Sequence, residues 1–181
     1  MSMAVSRPRS DVGPVVVMGV SGSGKSLIGS ALAAKLGLPF VEGDRLHPAA
    51  NVAKMSSGIP LTDEDRWPWL DRVGDELRAG TADAGGAIAA CSALKRIYRE
   101  RLRDAAGGNL RFVFLRGKRA TLAERLTARK HHFMPASLLD SQLATIEDPT
   151  GENGVCAIDV EAAPDDIVAA AIAWLARPMQ R

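Results

Sequence analysis

Gly19-Val-Ser-Gly-Ser-Gly-Lys-Ser26 decides how the rest of this chain is read. It fits G-x-x-x-x-G-K-[ST], the pattern of a loop that cradles nucleotide phosphates. Gly22 and Gly24 permit backbone angles that other residues avoid and let phosphate oxygens approach the main chain. The N–H groups of Gly19, Val20, Ser21, Gly22, Ser23 and Gly24 then form an anion-binding concavity. Lys25 is long enough to reach the β- and γ-phosphates, and the Ser26 hydroxyl suits a Mg²⁺ ion carried by ATP. Val15-Val-Val-Met18 before the loop is a short apolar run, the signature of a buried strand. Leu27 to Leu36 after it reads as a helix whose start near Lys25 turns its positive dipole end toward the phosphates.

Working outward, strand-like runs recur at Val15–Val20, Pro39–Glu42, Ala87–Cys91, Leu110–Leu115 and Gly154–Asp159, with helical stretches between them. Alternation of this kind predicts an α/β fold with a five-stranded parallel sheet and helices on both faces. Ligands of such sheets bind beyond the carboxyl ends of the strands. Residues 1–14 carry Arg7, Pro8, Arg9, Asp11 and Pro14 and read as a flexible tail, leaving 15–181 as a single domain. Two insertions interrupt it. Residues 45–80 form a substrate-side insertion with a capping box at Thr62-Asp-Glu-Asp65 and a helix running to about Leu77. Residues 129–147 form a basic lid followed by a short helix.

Composition narrows the function. The 181 residues are 46% hydrophobic, and 23 Lys+Arg against 21 Asp+Glu give a net charge of +2. Near-neutral charge and only 4% aromatic residues argue against a nucleic-acid partner. The longest apolar stretch, Ile167 to Ala176, is too short to span a bilayer, and no secretory leader is visible. A cytoplasmic protein is expected. Cys91 and Cys156 lie far apart in apolar runs and read as buried free thiols.

Chemistry-bearing residues cluster at strand ends and in the insertions. Asp44, after Glu42-Gly43, is placed to accept the proton of an attacking hydroxyl, although Gly-Asp is also an ordinary turn pair. Glu42 can support Mg²⁺ through a water. Lys95 and Arg99, four apart, share one helix face and suit an anionic acceptor. Arg125 and Arg129 are also four apart, with His132 three further on, and suit a clamp on transferring phosphates. His47, Lys54 and Arg66 sit in the first insertion. Trp67 and Trp69 read equally well as core or as a floor beneath a ligand.

The order of these motifs resembles the small P-loop gluconate kinases. The match rests on Glu42-Gly-Asp44-x-x-His47-Pro48, Asn51-x-x-Lys54-Met55 and Gly58-Ile-Pro-Leu-Thr-Asp-x-Asp-Arg66-Trp-Pro-Trp-Leu70. Cys91-Ser-Ala-Leu-Lys95 with Tyr98-Arg99, Arg125-Leu-x-x-Arg129-x-x-His132-Phe133-Met134, and Ser141-Gln142 with Glu147 before Pro149 extend it over residues 14 to 176. Leu143 departs from the commoner phenylalanine. The resemblance implies a nucleoside-monophosphate-kinase-like fold and ATP-dependent phosphorylation of D-gluconate at its 6-hydroxyl, commonly by a homodimer. It implies that Asp44, Lys25, Arg125 and Arg129 act in catalysis and that Asp44, His47, Lys54, Arg66, Lys95, Arg99 and His132 bind the sugar acid. Which cation meets the carboxylate stays open at this level.

Three rivals are weaker. A shikimate kinase has a Gly-Gly-Gly turn after its third strand, where this chain has Cys91-Ser92. A GTPase-like switch needs N-K-x-D, which is absent. A nucleic-acid-binding ATPase has only the basic stretches near Lys95–Arg103 and Arg116–Lys130 in its favour.

Overall fold

Five strands line up in the order β2-β3-β1-β4-β5, every neighbouring pair parallel. The computed structural model describes residues 11–128 and 136–179. Its strands are β1 (Gly13–Met18), β2 (Phe40–Glu42), β3 (Gly86–Ala90), β4 (Arg111–Arg116) and β5 (Val155–Asp159). The helices are α1 (Lys25–Leu36), α2 (Ala49–Ser56), α3 (Asp63–Ala84), α4 (Arg96–Ala106), α5 (Arg119–Thr127), α6 (Ala136–Thr145) and α7 (Pro164–Leu175). A short 3-10 helix, Gly43–Leu46, follows β2.

β1 is the central strand, and Val15 through Met18 are wholly buried. Alternate side chains feed two cores, as a pleated strand requires. Val16 and Met18 pack with Ala87, Ala89, Phe112 and Phe114 beneath α3 and α4. Val15 and Val17 pack with Ile88, Val113 and Leu115 beneath α1 and α7. Each such side chain contributes about 1.5–3 kcal/mol relative to exposure. A third cluster of Val20, Leu94, Leu122, Leu126 and Leu139 lies where α5 and α6 meet the phosphate loop.

Three boundaries differ from the sequence expectation. β1 begins at Gly13, inside the stretch read as tail: Gly13 N–H donates to Gly85 O, and the buried Arg111 guanidinium donates to Val12 O at 2.6 Å. β1 also ends at Met18, so Gly19 and Val20 belong to the loop. α3 continues past Leu77 to Ala84. Gly80 reads as a break, but a Cβ there would lie 2.8 Å from the Ala87 Cβ. Close packing on β3, not helix termination, is its reason. Among the described residues, no helix is long and apolar enough to cross a membrane.

Candidate active site

The phosphate loop joins β1 to α1 at the carboxyl edge of the central strand. Gly24 caps α1 in a left-handed conformation, φ 92°, and Gly22 has φ 82°. A side chain at Gly22 would strike the Leu122 carbonyl and the Leu126 side chain at about 3 Å, so α5 rests directly on the loop. Lys25 Nζ donates to Val20 O at 3.1 Å, folding the ammonium back over the loop's rim. Among the described residues, Ser23 Oγ is a buried side-chain polar atom without a hydrogen-bond partner. The first turn of α1 carries no acidic residue, so nothing competes with an anion for its N–H groups. Ser26 is exposed there, its hydroxyl unengaged among the described residues. This loop fits a nucleotide triphosphate.

The turn carrying Asp44 is held from three sides. Gly43 sits so close to β3 that a Cβ would fall 2.3 Å from Ala90 O. The Trp69 indole N–H donates to Gly43 O at 2.8 Å. The same indole stacks on His47 with ring centroids 4.1 Å apart. Trp69, 2% exposed, is therefore both core and clamp, while Trp67 is half-buried with its edge against Tyr98. Asp44 itself is exposed at the top of this turn. The charges of Asp44, Lys25 and Glu42 are all felt by the buried Cys91 thiol at the end of β3. Burial pushes that thiol up to about 12, so it stays protonated and is no nucleophile.

His47 is kept neutral. Burial lowers its pKa below the usual 6.5, the Asp44 carboxylate opposes that, and Arg66 reinforces it. Asn51 Nδ2 donates to Asp65 O at 2.8 Å and lies 3.3 Å from His47 Nδ1. Because that carboxamide nitrogen is donor only, the bond assigns Nδ1 as acceptor and leaves the proton on Nε2.

The acceptor-side cations differ in what they already hold. Lys54 is paired with Asp65 at 2.7 Å. Lys95 is paired with Asp63 at 2.9 Å, and the Tyr98 hydroxyl donates to the same carboxylate at 2.5 Å. Tyr98 and Lys95 hold the Asp63 carboxyl below its ordinary range, and Asp63 in turn raises Lys95. Arg66 has no such partner. Its guanidinium donates only to the carbonyls of Leu61 and Thr62 and makes no ion pair among the described residues. Arg66 and Lys95 both lie 5.5 Å from the Tyr98 ring centre, so the two cations share one aromatic ring.

Arg99 does not join them. Grouped with Lys95 as a substrate ligand from sequence, it is wholly buried. It donates to the Ala93 and Leu94 carbonyls at 3.0 Å and forks onto Glu152. The shared helix face holds for the start of the side chains only; Arg99 turns under the sheet edge while Lys95, the N-cap of α4, turns outward. What Arg99 supports is the 91–95 turn, where Ala93 adopts a left-handed φ of 48°.

Arg125 lies in the last turn of α5, next to Leu126, and donates one N–H to Val160 O at 2.6 Å. Arg129 and His132 lie outside the described residues. Of the stretch read as a lid, α6 is described, and it reaches both halves of the site. Gln142 Oε1 accepts the Ser21 N–H at 2.7 Å. Glu147 N–H donates to Leu94 O at 2.9 Å, and its carboxylate accepts the Arg96 N–H at 2.5 Å.

Sequence reasoning gave no role to Asn51, Asp63, Gln142 or Glu147. Asp65 had a signal, the capping box, and the structure forms that box in full. Asp65 also holds Lys54. No group of three or more His, Cys, Asp or Glu side chains able to hold a metal occurs among the described residues. The Ser26 hydroxyl, exposed in the first turn of α1, suits a divalent cation that arrives on a nucleotide.

Comparison with known proteins agrees with this geometry. A family model described as an AAA domain matches residues 15–149. The gluconokinase of Gluconobacter oxydans is 51% identical over 156 residues, covering 85% of this chain and 86% of its own. The thermosensitive gluconokinase of Escherichia coli K12 is 45% identical over 146 residues, covering 80% and 78%. The crystal structure of a gluconokinase from Sinorhizobium meliloti 1021 superposes with a TM-score of 0.83 at 54% identity, over 93% of this chain and 94% of that one. With its phosphate loop, its five parallel strands and identity of this extent over most of its length, the chain belongs to the gluconokinase family of P-loop kinases.

Proposed function

We propose that the protein transfers the γ-phosphoryl group of ATP to the 6-hydroxyl of D-gluconate, giving 6-phospho-D-gluconate and ADP, in the cytoplasm and as a homodimer. The observation that carries the acceptor assignment is Arg66. Lys54 and Lys95 already hold carboxylates, whereas Arg66 donates through one nitrogen to two carbonyls and makes no ion pair among the described residues. A planar guanidinium in that state is suited to a sugar-acid carboxylate. His47, neutral and with Nε2–H free to donate, and the Lys95–Asp63 pair supply partners for hydroxyls.

The carboxylate end then lies by Arg66 and Tyr98, and the far hydroxyl reaches Asp44 and the phosphate loop. Asp44 orients that hydroxyl and accepts its proton late in transfer. Lys25 swings from Val20 O onto the β- and γ-phosphates. Ser26 Oγ, supported by Glu42, would hold the Mg²⁺ that accompanies ATP. That ion, when bound, neutralises charge building on the phosphate oxygens. Arg125, with one donor on Val160 O, keeps others for the nucleotide.

The test is coupled ADP release with gluconate, other sugar acids, glucose and sorbitol. A preference of about 10³-fold or more in kcat/KM for gluconate over its neutral analogues is expected, as polar sites reject ligands that leave a charge unpaired. Equal rates with gluconate and glucose would remove the carboxylate reading. Sedimentation of the purified protein tests the dimer.

A further inference from the structure

Gln142 is joined to the phosphate loop across 121 positions of sequence, and the contact has an unusual polarity. A backbone N–H at the mouth of an anion-binding loop is given to a neutral carboxamide oxygen. The side chain has little freedom to do otherwise. Leu139, one turn earlier on α6, is buried against Val20, Leu94, Leu122 and Leu126. Asp140 is forked by Arg119 at 2.6 and 3.0 Å. Beyond the helix, Glu147 is bonded twice to the 94–96 turn, beside Lys95. The inner face of α6 therefore spans from the nucleotide loop to the acceptor turn, with Gln142 at the loop end.

Accepting the Ser21 N–H through Oε1 fixes which way the carboxamide points. Nε2 then carries two N–H donors, and among the described residues neither has a partner. A pair of unengaged donors of fixed orientation, between a phosphate loop and an acceptor turn, suits oxygens that gain charge during transfer.

We propose that Gln142 is a further catalytic residue: its Nε2 N–H donates to the phosphoryl group in transit, and the Ser21 N–H holds it in the donating orientation. The assignment rests on the kinase reading given above. It is not a ground-state ATP ligand, since on this reading ATP binding falls to the Gly22 and Gly24 amides, Lys25 and Ser26, the Ser23 N–H already donating to Val20 O at 3.2 Å. Its contribution appears in kcat.

Two variants separate the donor from the anchor. Gln142→Met keeps length and loses both functions; Gln142→Glu keeps an acceptor for Ser21 N–H and loses the donors. Each is assayed for kcat and for KM of ATP and gluconate, for acceptor-independent ATP hydrolysis, for melting temperature, and for affinity toward ADP with fluoroaluminate, a mimic of the phosphoryl group in flight. Both variants are expected to lose about 10²-fold or more in kcat, the scale for one donor to a developing oxyanion. Fluoroaluminate affinity should fall with kcat, while KM for ATP and the melting temperature stay near the wild type. If Gln142→Glu restores what Gln142→Met loses, or if fluoroaluminate binding is unchanged in both, Gln142 is only an anchor and the proposal fails. The wild-type arm reports on the acceptor independently: no gluconate turnover there would overturn the acceptor reading, and the ATP hydrolysis and fluoroaluminate arms would still decide Gln142.

Discussion

The Trp69 indole N–H reaches across 26 residues of sequence to the Gly43 carbonyl, and its ring lies flat against His47. One side chain in α3 thus sets both the turn that carries Asp44 and an imidazole beside it. Trp69→Phe keeps an aromatic face for His47 and removes the donor. A buried carbonyl without its partner costs about 1–3 kcal/mol. Denaturant unfolding should show a loss of that size, and kcat should fall more than KM for ATP because the turn, not the loop, is released.

Lys25 is the cation of the phosphate loop. Lys25→Ala should leave a folded protein whose turnover drops by about 10³-fold or more, the scale of charge stabilisation in phosphoryl transfer. Circular dichroism with a coupled assay checks both halves; near-normal turnover would refute the role given to the loop.

Asp44, proposed to orient the acceptor hydroxyl, makes no ion pair among the described residues. Asp44→Asn should lower kcat by roughly 10²–10⁴-fold with ATP affinity almost unchanged. A loss confined to ATP binding would make Asp44 a metal-site residue instead.

Arg99 gives the opposite pattern. Arg99→Met leaves the Glu152 carboxylate with Arg103 alone at 3.5 Å and strands two carbonyls of the 91–95 turn, at a cost of about 3 kcal/mol or more. The melting temperature should fall by many degrees. If KM for gluconate rose in a variant of unchanged stability, Arg99 would be a ligand after all.

His47 makes the protein acid-sensitive in a stated direction. Its folded pKa lies below 6.5, because burial and Arg66 disfavour the imidazolium more than Asp44 favours it. The unfolded chain binds the proton first as pH falls. Stability from this group is therefore complete above pH 6.5 and is lost as pH falls through the folded pKa. Protonation also removes Nδ1 as an acceptor for Asn51. KM for gluconate should rise over that same descent, and His47→Asn should flatten the rise.

Much of the architecture could be read from local pattern. Five apolar runs became five parallel strands: β1, β3 and β4 are buried almost throughout, the edge strands β2 and β5 are half-buried, and each run is apolar enough to be found locally. The capping box announced the start of α3, but Gly80 hid its end, since the packing of that glycine on Ala87 depends on the sheet. Lys95 and Arg99 show the same limit at the site. Spacing puts two side chains on one face, yet only tertiary structure supplies Glu152 to draw Arg99 inward. Asn51 and Gln142 carry no charge and sit in no periodic pattern, so their partners, 14 and 121 positions away, were beyond reach of local reading.

The 2.3 Å approach of a notional Gly43 Cβ to Ala90 O has a consequence for how acceptor range can change. Asp44, the proposed proton acceptor, rides on a turn held against the sheet, where even one methyl group at Gly43 is excluded. Lys54 and Asn51 instead ride on α2, tied to α3 through Asp65, and Arg66 rides on the first turns of α3, donating to Leu61 O and Thr62 O. On the proposed reading, Asp44 and these α2–α3 cations therefore sit on different segments, joined by Trp69 of α3. Redesign toward longer or shorter sugar acids should leave Gly43, Asp44 and Trp69 untouched and move the α2–α3 cations as a unit.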